Sequence, residues 1–131
     1  MGTGVIVAAS TLLRVHRSWA WVVIIANGLA GCWALAAHRW PQWRTRSLWW
    51  FTGAAEVAVF VQVGLGVGMV AGEHKVAAQF HMFYGFVAII AVAILYSYRT
   101  ALKAKVYLLY GGGGLFVMGL AIRALLKARV V

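Results

Sequence analysis

The sequence predicts an all-α integral membrane protein, an up-down bundle of four transmembrane helices, and three observations point there. Apolar residues make up 64% of the 131 positions and charged residues only 11%, more apolar surface than a soluble domain of this length can hide in one core. The apolar residues fall into four runs, each near the ~20 residues that cross ~30 Å of hydrocarbon as a helix. Every Lys and Arg lies near the end of such a run, where side chains anchor at the interface and meet anionic head groups.

The whole chain, 1–131, reads as one domain with helices over about 16–37, 48–71, 76–98 and 105–126. The first run has Arg14 and Arg17 before it and His38 and Arg39 after it. Ahead of it, MGTGVIVAASTLL is apolar with no basic residue in front and no polar, cleavable region behind, so a signal peptide is not expected. This stretch either extends the first helix or lies along the interface. The link HRWPQWRTRS holds the only proline, Pro41, with Trp40 and Trp43 beside it. Proline cannot continue a helix and indole favours the head-group level, so a short interfacial turn is expected.

The second run carries Glu56 and Gln62, and the third ends at Arg99. A basic link at Lys103 and Lys105 leads to the fourth, which closes on Arg123, Lys127 and Arg129. Links this short make successive helices antiparallel.

Small residues indicate how the helices pack. Gly64, Gly68 and Gly72 recur every fourth residue, as do Ala26, Ala30 and Ala34. That spacing lets backbones approach closely in lipid, where packing rather than a hydrophobic drive joins helices. Gly111, Gly112, Gly113 and Gly114 bare a whole helical turn, expected to be a thin point seated against an aromatic neighbour in preference to a hinge or a ligand slot.

The net charge of +10 belongs to helix ends rather than to a soluble domain, so lipid head groups, not nucleic acid, are its expected partner. The lone Cys32 excludes an intrachain disulfide. Six basic residues fall at each end of the bundle, so the raw count does not orient it. The second and third helices favour a cytoplasmic side for the 38–47 and 99–105 links, in a plasma membrane of bacterial type.

Three groups of residues carry candidate chemistry. Glu56 lies roughly 12 Å along its helix. A carboxylate at that depth costs about 2.5–3.5 kcal/mol, so it should face the interior or be protonated, as a proton or cation site or as a structural partner of Asn27 and Gln62. His16 and His81 lie near the same membrane face in this topology, and His74 sits two turns before His81. Facing imidazoles can ligate haem iron axially, and imidazoles with a carboxylate such as Glu73 can hold a metal. The alternative is ordinary interfacial histidine. Phe80, Phe83, Tyr84 and Phe86 fit an aromatic belt or a surface for a porphyrin or quinone ring.

A phosphate-cradling loop, a Ser/His/acid arrangement close in sequence and a carboxylate pair are all lacking. With four short helices and one intramembrane glutamate, the chain is similar to small multidrug-resistance transporters. In those the glutamate is on the first helix, whereas Glu56 is on the second. With histidines on a membrane bundle it resembles b-type membrane cytochromes and the halves of haem A synthase, whose paired histidines occupy more helices. The leading expectation is a non-enzymatic accessory or structural subunit, packed against other membrane subunits or a homo-oligomer. A haem- or metal-binding redox bundle using His16 and His81, and a proton-coupled transporter centred on Glu56, stand beside it.

Overall fold

The computed structural model describes residues 2–72 and 77–128, with side chains from Thr11 onward. The regular elements are α1 (Gly2–Arg39), a 3-10 turn (Pro41–Trp43), α2 (Arg46–Gly72), α3 (Gln79–Tyr98), a second 3-10 turn (Lys103–Lys105) and α4 (Val106–Lys127). Four segments are long and apolar enough to cross a membrane: Thr11–Arg39, Arg46–Gly72, Gln79–Tyr98 and Lys103–Lys127.

The N-terminal stretch continues α1, which therefore runs 38 residues, or ~57 Å. What stops it is Pro41. The residue before a proline is driven from the helical region, and Trp40 is extended at φ −120°, ψ 105°. Arg44 then folds back over the exposed helix end, donating from Nε to Ala37 O at 2.7 Å and from a terminal nitrogen to His38 O at 3.0 Å. A cation on the last carbonyls complements the negative end of the helix dipole. The same guanidinium lies 4.9 Å from the Tyr107 ring centre, joining the end of α1 to the start of α4.

α1 and α4 form the most extensive helix pair; α2 leans on α1 and α3 on α4, while α2 and α3 touch only sparsely. The reason for the central pair is glycine. A Cβ at Gly31 would sit 2.9 Å from both Gly111 O and Leu115 N, and one at Gly114 would sit 2.8 Å from Gly31 Cα. Neither position tolerates a side chain without moving backbone. Gly111 and Gly113 receive the side chains of Leu35 and Leu95, so the glycine run seats leucines and backbone rather than the expected aromatic ring. Gly112 faces open space.

The two every-fourth stripes behave oppositely. Ala30 and Ala34 are buried against the bundle. A Cβ at Gly64, Gly68 or Gly72 would meet nothing within 4 Å among the described residues, so no described side chain packs on the glycine stripe. Polar bonds fasten α2 to α1 instead: Trp19 Nε1 donates to Ala58 O at 2.8 Å, and Asn27 Nδ2 donates to Val23 O at 2.8 Å and to Ala55 O at 3.2 Å.

Gly31→Val is expected to lower the thermal midpoint of the detergent-solubilised protein, through an overpacking cost of about 1–3 kcal/mol. Gly112→Ala should hold or raise it, by up to about 1 kcal/mol of helix propensity. Circular dichroism melts of the two variants check this, and equal midpoints would remove the backbone contact from its central role.

Candidate functional site

Where α2 and α3 diverge, a cavity of about 570 Å³ opens, lined by the middle of α1 from Leu13 to Val23, the end of α2, the start of α3 and the end of α4. Most of the lining is small or apolar, including Ala20, Val59, Gly66, Gly85, Ala88 and Ala121. His16, Gln62 and His81 are its uncharged polar members of interest. The volume lies within the range of ordinary small-molecule and cofactor sites.

His16 is only 9% exposed although it stands among the interfacial residues of α1. Its ring centre lies 5.9 Å from that of His81, with the two planes at 86°. An ion held between two imidazoles by bonds of about 2 Å separates the ring centres by roughly 6 Å. The observed spacing matches that geometry.

His81 has a defined tautomer. Its Nδ1 is 2.7 Å from Ala124 O, and a carbonyl can only accept, so Nδ1 carries the proton and, in the neutral ring, Nε2 keeps its lone pair. Histidines that bind metals are oriented by this kind of bond from the other ring nitrogen. His16 is held through its backbone, since Gln62 Nε2 donates to His16 O at 2.8 Å. Gly66, one turn after Gln62, leaves room for the ring: a Cβ there would approach His16 Cε1 to 3.3 Å. Two buried atoms remain without hydrogen bonds, His16 Nδ1 and Gln62 Oε1. Each unpaired buried polar atom costs about 1–3 kcal/mol.

Among the described residues no three of His, Cys, Asp and Glu converge on one point. Among the described residues the site offers two imidazoles, which suffice for a metal that brings a macrocycle. His74 and Glu73 lie outside the described residues.

Comparison with protein families, curated proteins and solved structures finds no match to this chain.

Of the aromatic residues after His81, Tyr84 and Phe86 line the cavity. Phe80 is 61% and Phe83 56% exposed, facing outward as a belt does, and Lys127 Nζ lies 5.6 Å from the Phe80 ring centre. The second candidate group is dispersed. Glu56 is half-buried on α2, Asn27 spends its amide on Val23 and Ala55, and Gln62 bonds to His16. Neither amide hydrogen-bonds to Glu56. Gly66 and the Ala124 carbonyl were not singled out from sequence; Gly66 announces itself only by standing four residues after Gln62, and a backbone acceptor has no sequence signal.

Asn27→Ala is expected to cost about 1–2 kcal/mol through its lost buried bonds. Glu56→Gln should change stability by less than about 0.5 kcal/mol. Melting of both variants in detergent decides it; a larger loss for Glu56→Gln would give Glu56 a structural bond it lacks here.

Proposed function

We propose that the chain spans a membrane as an up-down bundle, holds an iron porphyrin between His16 and His81, and serves as a small electron-carrying subunit of a larger membrane assembly. The observation that carries this reading is the pair of imidazoles whose ring centres lie 5.9 Å apart at the wall of a mostly apolar cavity. The order of contacts supports the topology: as α1 numbers rise from Gly28 to Leu35, their α4 partners fall from Met118 to Gly111. On α2, Gly66 meets His16 while Ala58 meets Trp19 and Ala55 meets Asn27. On α3, His81 meets Ala124 and Leu95 meets Gly113.

His16 and His81 would hold the iron porphyrin, and the chemistry it would supply is electron transfer rather than oxygen activation. The chain's part is to present the two ring nitrogens, fix the His81 tautomer through Ala124 and surround the group with apolar side chains. That apolar shell and the limited water access influence the potential.

The partner subunit rests on a separate observation. Gly64, Gly68 and Gly72 form a close-approach face that no described residue covers, and such faces join transmembrane helices.

Protein expressed with ample haem is expected to show a Soret band and a low-spin, six-coordinate spectrum. His16→Ala and His81→Ala should each abolish the six-coordinate signature. A wild-type protein with no Soret band would sink the proposal. Gly68→Leu should leave that spectrum intact while removing partners or copies that co-purify from native membranes; unchanged co-purification would free α2 of this role.

A further inference from the structure

We infer that Arg17 holds the acidic edge of the porphyrin, so that the group enters the cavity with its carboxylates toward the membrane surface. This rests on the axial role of His16 and His81. Arg17 is the next residue after His16 and is the one charged side chain among the described residues lining the cavity other than the histidines. It is exposed, whereas Val23, Val59 and Ala88 on the inner wall are buried.

The formal positive charge in the cavity wall therefore lies at one edge only, on Arg17. A ligand that fits this cavity has an apolar body and an anionic margin. Depth agrees with this direction. Twenty-two residues of α1 separate Arg17 from Arg39, or ~33 Å of helix, which is about the thickness of the hydrocarbon core. With Arg39 at one boundary, Arg17 stands at the other, where a carboxylate keeps its water. Val23 lies ~9 Å deeper along the same helix. A guanidinium offers a planar fork of donors that matches a carboxylate, which an ammonium does not.

The test compares two porphyrins that differ only at that edge, haemin with free carboxylates and haemin dimethyl ester, titrated into the detergent-solubilised full chain. Soret shift and quenching of tryptophan fluorescence report binding. Arg17→Gln should weaken free-acid haemin on the order of tenfold and leave the ester unchanged, with Arg17→Lys falling between. Ester binding by Arg17→Gln also shows that the variant is folded. If Arg17→Gln binds both porphyrins as the wild type does, the inference is overturned while the axial ligands stand. It is equally overturned if the variant loses only bound anionic phospholipid, because Arg17 is then a head-group contact. If the wild type binds neither porphyrin, the axial reading itself falls and this inference with it.

Discussion

Backbone meets backbone where Gly31 of α1 crosses the glycine run of α4, and the rest of the bundle is arranged around that crossing. In lipid there is little hydrophobic gain in bringing two helices together, so association depends on how closely they fit. At Gly31 and Gly114 nothing stands between the main chains. α2 then attaches to α1 through Trp19 and Asn27, and α3 attaches to α4 through Leu95 and His81. Two outer helices, each attached to a different member of the central pair, meet each other only sparsely. Their sparse contact is the origin of the cavity.

The cavity shows how a few polar bonds prepare a site in a mostly apolar wall. Gln62 fixes the position of the His16 backbone and Ala124 fixes the His81 ring, so neither imidazole depends on a ligand for its place. Preorganisation of this kind leaves less to be ordered on binding. It has a cost, since His16 Nδ1 and Gln62 Oε1 are buried without partners. Small side chains at Gly66, Gly85, Ala20 and Ala121 keep the space between the rings and the outer helices open.

The spans of α2, α3 and α4 and the Pro41 stop were legible because they follow from composition and local sterics, whereas the reach of α1 back to Gly2 was left open. The shared depth of His16 and His81 was legible too, since parallel first and third helices bring those positions level. The direction of a small-residue stripe was not. Ala26, Ala30, Ala34 and Gly64, Gly68, Gly72 have the same spacing, yet Ala30 and Ala34 are buried in the bundle while the glycines meet no described side chain. Because both lipid and protein are apolar, a membrane helix carries no polar face to mark its outside. The bonds of Asn27 and Gln62 were hidden for another reason: their acceptors are main-chain carbonyls, which every residue possesses.

In the proposed topology the basic residues divide six and six between the two ends of the bundle, while the histidine cavity occupies one end alone. The charge that guides insertion is thus balanced in a molecule whose chemistry is lopsided. A copy threaded one way and a copy threaded the other obey the positive-inside bias about equally, but they open their cavities toward opposite compartments. Sidedness would then rest on a partner or on the smaller bias of the second and third helices. An electron handed from an upright copy to an inverted neighbour would cross most of the bilayer, and each 100 mV of membrane potential would alter that transfer by up to about 2.3 kcal/mol.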